Sequence, residues 1–210
     1  MALIRRSDLW NSVSDIWSRI LSCRFMVSLS SGTLKESQFI RYLRQDYLYL
    51  ADFRKALVNV GFRSGKDQVF DLFVRHAANS IEVEREMQMK FLGSGVPALS
   101  DKSPLNMEYC QFIMYHSSVG TYPNALASVL ACYWIYLEVG KVLQNRVRPD
   151  DLYHSWVSTY SPGSAYEDSV EEVLELCESL ELGGREYREF VKIFRQGCEL
   201  ELRFWESAMD

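Results

Sequence analysis

Proline and glycine fall mainly between long stretches of helical periodicity in this chain of 210 residues, and no strand-like alternation bounded by hairpin turns appears. That distribution points to a bundle of helices. A first helix reads from Ser7 to Ser30 and closes at Ser31-Gly32. Thr33-Leu34-Lys35-Glu36 has the form of a capping box, in which the threonine hydroxyl takes one free amide and the glutamate reaches back to another. The second helix follows to about Arg63, with Gly65 after it, and a third runs from Lys66 to Phe91, stopping at Gly93-Ser94-Gly95-Val96-Pro97. Ser103-Pro104 starts a fourth, which ends near Gly120, because proline at the first helical position removes only an amide that would lack a partner anyway. Thr121-Tyr122-Pro123 opens a fifth, and Arg148-Pro149-Asp150-Asp151 a short sixth that ends at Tyr160. After the turn Ser161-Pro162-Gly163, a seventh helix covers Ala165 to Glu181, and Gly183-Gly184 precedes the last. With no repeat, linker or low-complexity segment, the expectation is one all-α domain over residues 1–210.

Bulk properties narrow the partners. A chain with 48% hydrophobic and 24% charged residues can bury a full core. Its net charge of −5 lacks the basic footprint of a nucleic-acid binder. The carboxylates Glu171, Glu172, Glu175, Glu178 and Glu181 read as a solvated helix face. The first eight residues hold no apolar leader, and the longest apolar run, Ala125 to Val139, is short for a bilayer, so neither secretion nor a membrane is expected. Cys23, Cys110, Cys132, Cys177 and Cys198 form no C-x-x-C pair and are odd in number, which suits a reducing cytoplasm and argues against disulfides or structural zinc.

Three helices each place a polar group beside a ring, since side chains three or four apart share a face. Asp46 pairs with Tyr49 in Gln45-Asp46-Tyr47-Leu48-Tyr49, Cys132 with Tyr136, and Glu201 with Phe204 in Glu201-Leu202-Arg203-Phe204-Trp205. Each alone has a plain explanation. A buried cysteine usually fills space, Asp46 could pair with Arg44 or Arg54, and Glu201 stands among Glu199 and Arg203. Together they have a chemical logic. A flat, electron-poor heterocycle needs stacking surfaces and a carboxylate for its amidine-like edge. Breaking a bond at a carbon attached to that ring needs a nucleophile that adds to the ring, best a thiolate, and an acid for a ring nitrogen.

These segments resemble the TenA family, the thiaminase II enzymes, in order and spacing from about Ser7 to Trp205. The run Leu130-Ala131-Cys132-Tyr133-Trp134-Ile135-Tyr136 is similar to the family's cysteine-bearing core helix, with Ala131 where a proline often stands. Asp46 and Tyr49 resemble its pyrimidine-binding aspartate and nearby aromatic, Tyr109 its pocket tyrosine, Trp156-Val157-Ser158-Thr159-Tyr160 its W-x-x-T/S-Y segment, and Glu201 to Trp205 its E-x-x-F-W signature. The resemblance, to the cysteine-containing branch, implies a haem-oxygenase-like fold, a homotetramer and no cofactor. It implies hydrolysis at the pyrimidine methylene of an aminomethylpyrimidine, and in some members of thiamin, giving hydroxymethylpyrimidine for thiamin salvage. Cys132 and Glu201 would be catalytic; Asp46, Tyr49, Tyr109, Tyr136, Tyr160 and Phe204 would bind the substrate.

Other chemistries fit less well. Haem needs an axial histidine, typically in the first helix, whereas the histidines are His76, His116 and His154. A di-iron site needs paired Glu-x-x-His motifs; none is present, and Glu82, Glu84 and Glu86 read as an ion-pair cluster. The alternative from another class is a non-catalytic thiamin- or pyrimidine-binding or regulatory protein on the same fold.

Overall fold

The computed structural model describes residues 2–92, 97–98, 101–148 and 153–209, without the side chains of residues 2 and 82–89. Ten α-helices occur among the described residues: α1 Arg6–Asn11, α2 Ser14–Ser22, α3 Arg24–Ser30, α4 Glu36–Arg63, α5 Asp67–Met87, α6 Pro104–Ser118, α7 Tyr122–Leu143, α8 His154–Thr159, α9 Ala165–Glu178 and α10 Gly184–Ser207. A π-helical turn, Gln88–Leu92, extends α5. The chain divides into two compact units, one of residues 1–35 and 130–210, the other of residues 36–129.

In the second unit α4 packs against α5 and α6. Its buried residues Phe39, Tyr42, Leu43, Leu48, Tyr49, Phe53, Ala56, Leu57, Val60 and Gly61 fall mostly three or four positions from another, so one face of the 28-residue helix is apolar. Asn59 Nδ2 donates to Ser118 Oγ at 3.0 Å, and Arg63 Nε to the Ser117 carbonyl at 2.6 Å, joining the ends of α4 and α6. Ser103 caps α6 as expected, its hydroxyl accepting from the Asn106 amide at 3.1 Å.

In the first unit α10 packs against α2 and α3. Exposed ion pairs, Arg19 with Glu199 and Arg195 with Asp15, flank that contact, and Arg6 bridges Glu171 and Glu178 of α9. The Glu186 carboxylate accepts from the Gly183 amide at 2.8 Å and so closes the start of α10.

The expected first helix is three. The Ser12 hydroxyl donates to the Leu9 carbonyl at 2.6 Å as α1 ends, and the Ser22 hydroxyl to the Ser18 carbonyl at 2.9 Å just before the extended Cys23 (φ −66, ψ 152). Hydroxyls that bond back along a helix compete with its own amides and favour a bend. Nor does Thr33 open α4, which begins at Glu36. The Thr33 and Leu34 amides donate to the Ser28 carbonyl at 2.9 and 3.1 Å, closing α3 through Gly32 at φ 69. The seventh helix, expected to reach Glu181, ends at Glu178, and Glu181 instead joins Leu182 in a two-residue antiparallel ribbon against Ala2–Leu3. The expected stop after α5 and the opening of the sixth helix at Pro149 lie outside the described residues.

Every residue of α7 from Ala125 to Leu137 is buried. This helix is apolar and long enough to cross a bilayer, longer than the run counted from sequence, but 83% of its most apolar window is covered by the protein's own residues, as in a core helix. Gly140, near its end, lets the backbone of Tyr160 lie against α7: a Cβ there would stand 2.0 Å from the Tyr160 carbonyl oxygen. Gly140→Ala should therefore force α8 away, as overpacking does. Its melting midpoint is expected to fall by at least about 5 °C in a thermal scan, and an unchanged midpoint would show that the contact yields freely.

Candidate active site

The first unit gathers five of the eight residues singled out from sequence. Cys132 and Tyr136 are one turn apart on α7. Tyr136 packs 5.0 Å from Tyr160, at the end of α8, and 5.1 Å from Trp205 on α10. Trp156 completes the cluster, 5.2 Å from Tyr160 and 6.1 Å from Tyr136. These are the tilted and edge-on geometries that aromatic quadrupoles favour.

Glu201 is the unexpected member in one respect. Its neighbours Glu199 and Arg203 suggested a solvated stretch, yet it is only 1% exposed. The buried face of α10 runs Phe190, Ile193, Phe194, Gly197, Cys198, Glu201, Phe204, Trp205, so a carboxyl group sits inside an apolar stripe. Removing a carboxyl from water is costly, and natural proteins accept that mainly where it does something. Phe204, one turn on, is 4% exposed.

Tyr166, in the first turn of α9, ties these groups together. Its hydroxyl donates to the Cys132 carbonyl at 2.9 Å and the Tyr133 carbonyl at 3.1 Å. Its ring stands edge-on to Tyr160 at 4.9 Å. Burial, then the negative forms of Cys132, Tyr160, Tyr133 and Glu201, push its pKa well above the ordinary tyrosine value, so the hydroxyl stays a donor. Nothing in Ser164-Ala165-Tyr166-Glu167 marks this tyrosine in the sequence; only the fold of α9 against α7 exposes its role.

None of the five cysteines is in a disulfide, and all are buried. Cys132 is 9% exposed, more than Cys23 and Cys110 at 5%, Cys177 at 1% or Cys198 at 0%. Burial pushes Cys198 well above the usual thiol value, with the Glu201 charge acting the same way, and raises Cys23 and Cys177 too. Low-pKa reactivity is not available to these three. The least enclosed thiol of this unit is Cys132, one turn from Tyr136 of the aromatic cluster.

The second unit holds the other three. Asp46 is half-buried on α4, with Tyr49 on the same face. Tyr49 packs 4.6 Å from Tyr109 of α6, and the two rings are 3% and 1% exposed. Arg44, a possible partner for Asp46, stands 3.7 Å from Asp101. The Gln45 side chain accepts from the Ser103 amide at 2.9 Å, and Asn106 Nδ2 donates to the Gln45 carbonyl at 2.7 Å, which fixes the turn carrying Asp46. Lys102 Nζ donates to Asp52 at 2.7 Å and to the Cys110 sulfur at 3.2 Å. Burial pushes the Cys110 thiol up to about 11 against the pull of Lys102, so it serves as a structural group.

No group of three or more residues able to hold a metal occurs among the described residues. The side chains of Glu82, Glu84 and Glu86 lie outside them.

A long all-helical chain that sets a thiol, a buried carboxyl and a sheath of tyrosines on neighbouring helices belongs, by its backbone, to the haem-oxygenase-like class. It aligns with haem oxygenase from Leptospira interrogans at a TM-score of 0.69 and 15% identity, over 96% of this chain and 98% of that one. The sequence pattern of the TENA/THI-4/PQQC family matches residues 10–210, and the chain belongs to that family. It is 26% identical to the aminopyrimidine aminohydrolase of Halalkalibacterium halodurans, over 96% of this chain and 94% of that protein. It is 29% identical to the thiamine biosynthesis multifunctional protein ThiED of Corynebacterium efficiens, over 95% of the chain but spanning only 28% of that longer protein. Among solved structures, the TenA homologue from P. horikoshii OT3 aligns at a TM-score of 0.86 and 25% identity, over 96% of both chains.

Removing only the Tyr166 hydroxyl tests its place in this assembly. Tyr166→Phe keeps the ring but loses donation to two carbonyls, which should cost about 1–2 kcal/mol of stability. Chemical denaturation checks this; a loss under about 0.3 kcal/mol would make the two hydrogen bonds incidental.

Proposed function

We propose that the protein is an aminopyrimidine aminohydrolase of the cysteine-containing branch of its family. It converts 4-amino-5-aminomethyl-2-methylpyrimidine and water into the hydroxymethylpyrimidine and ammonia, supplying thiamin salvage, with thiamin as the second substrate to assay. The observation that carries this reading is that neighbouring helices of the first unit hold the most exposed of the five thiols and a carboxyl group buried on an apolar face, with Tyr136 of the thiol's helix packed on Trp205 of the carboxyl's. Residues 1–210 act as one functional domain, in keeping with a family match from residue 10 to residue 210.

Cys132 adds through sulfur to the pyrimidine ring while Glu201 delivers a proton to a ring nitrogen. Carboxyl groups removed from water favour the neutral, proton-carrying form, which suits this role. Loss of aromaticity lets the protonated amine leave the methylene carbon as ammonia, which takes up the proton that the incoming water gives off. Water adds to that carbon, the carbon–sulfur bond breaks, and the ring regains aromaticity as its nitrogen returns the proton to Glu201. Asp46 holds the amino edge of the pyrimidine through charge-assisted hydrogen bonds. Tyr49, Tyr160 and Phe204 give ring contacts, and Tyr109 and Tyr136 hydrogen bonds. A protein that merely bound the pyrimidine would gain nothing from a buried Glu201.

The working assembly is a homotetramer in the reducing cytoplasm, where five cysteines outside any disulfide persist. Its support lies on the second unit, where Val58 and Phe62, Phe70 and Val74, and Tyr115 and Val119 are exposed apolar pairs, each one helical turn apart. Asn59 with Ser118, and the 3.0 Å approach possible at Gly61 to Phe70, bring their three helix ends together. Light scattering should give a mass near four times 24.4 kDa, and a monomer mass would remove this assignment.

Ammonia release from the aminomethylpyrimidine tests the activity. Cys132→Ser should lower it at least tenfold while calorimetric binding of hydroxymethylpyrimidine persists, because a hydroxyl is a far weaker nucleophile. A variant with more than a tenth of the parent rate would dismiss Cys132 as the attacking group.

A further inference from the structure

Trp205 lies one turn beyond Glu201 on the buried face of α10. Its side chain is 0% exposed and packs 5.1 Å from the ring of Tyr136, itself one turn from Cys132. The indole Nε1 is buried and meets no hydrogen-bond acceptor. Buried donors in folded proteins are nearly always paired, and one left alone carries a free-energy cost that a plain core position avoids by using phenylalanine. The same helix does so at Phe190 and Phe194, both fully enclosed.

We infer that the Trp205 indole N–H is a substrate-binding donor, held for an in-plane lone pair of the bound pyrimidine. The indole adjoins, through Tyr136, the ring next to the thiol and, along its own helix, the carboxyl. Indole is a donor with no acceptor capacity, so it recognises lone pairs and rejects N–H groups. A neutral diazine offers such lone pairs at its ring nitrogens. Trp205 is thus a specificity-determining residue in addition to the thiol, the carboxyls and the tyrosines. This assignment rests on the aminopyrimidine reading above.

Calorimetric titration of the parent protein and Trp205→Phe with hydroxymethylpyrimidine tests it. Loss of one neutral hydrogen bond should raise Kd about five- to tenfold, and a contact made equally before and during reaction should raise KM with little change in kcat. Because the smaller ring also alters packing, a second measurement reads the donor itself. In 15N-tryptophan-labelled protein, which has five indole N–H groups, the resonance absent from Trp205→Phe should move downfield when the pyrimidine is added to the parent. A stationary resonance overturns the inference even where Kd changes, since the effect would then be packing alone. An equal Kd in both proteins overturns it too. If Trp205→Phe fails to fold, the Trp205 indole resonance is assigned in the parent by its through-bond and ring-contact connectivities: a stationary one overturns the inference, and one moving downfield supports it. A parent that does not bind hydroxymethylpyrimidine defeats the aminopyrimidine reading, and this inference with it.

Discussion

The burial of α7 is the constraint on which the rest depends. A helix whose residues are enclosed on every side from Ala125 to Leu137 must be surrounded by others, and it has no solvent face on which to place a polar group cheaply. A thiol is one of the few reactive groups that such a helix tolerates, because it packs like a small hydrophobe. Cys132 can therefore sit in the core without loss of stability and still be the most exposed cysteine of the five. The close approach of the Tyr160 backbone at Gly140 and the donation of Tyr166 to the Cys132 carbonyl both use this helix as their support.

Glu201 poses the opposite problem. Its carboxyl is kept on the apolar stripe of α10 at an energetic cost, within reach of the Tyr166 hydroxyl's electrostatics. A helix that needed only to pack would carry leucine there. The same contrast separates Trp205, with its unpaired donor, from Phe190 and Phe194 on the same face. On α10 these two departures from the cheapest core residue lie one turn apart. In the second unit the polar cost is met differently, by a network of Gln45, Ser103 and Asn106 that locks the turn of Asp46.

Family membership agrees with this division of labour. The match runs across nearly the whole chain, and the backbone agrees with a TenA homologue at a TM-score of 0.86 despite 25% identity. Such divergence leaves most surface and many core positions free to change. The groups costly to bury and the glycine that a Cβ would disrupt are the features that packing alone does not ask for.

The amino-acid sequence by itself determined the helical class, the starts of three of the longer helices and the pairing of polar groups with rings, because these are set by local periodicity and by single punctuating residues. Ser103-Pro104, Tyr122-Pro123 and Gly183-Gly184 mark helix starts whatever surrounds them. The breaks near Ser12 and at Cys23, and the use of Thr33 to close α3, were decided by hydroxyl and amide contacts of three to six residues' reach, which periodicity does not register. Which carboxylate is buried was decided by tertiary structure alone: Glu199 and Glu201 are two residues apart in the same charged stretch, and the rotation of α10 against α2 and α3 leaves one paired with Arg19 at the surface and the other enclosed. Tyr166 and the indole of Trp205 acquire their roles in the same way, from helices that meet only when the chain is folded.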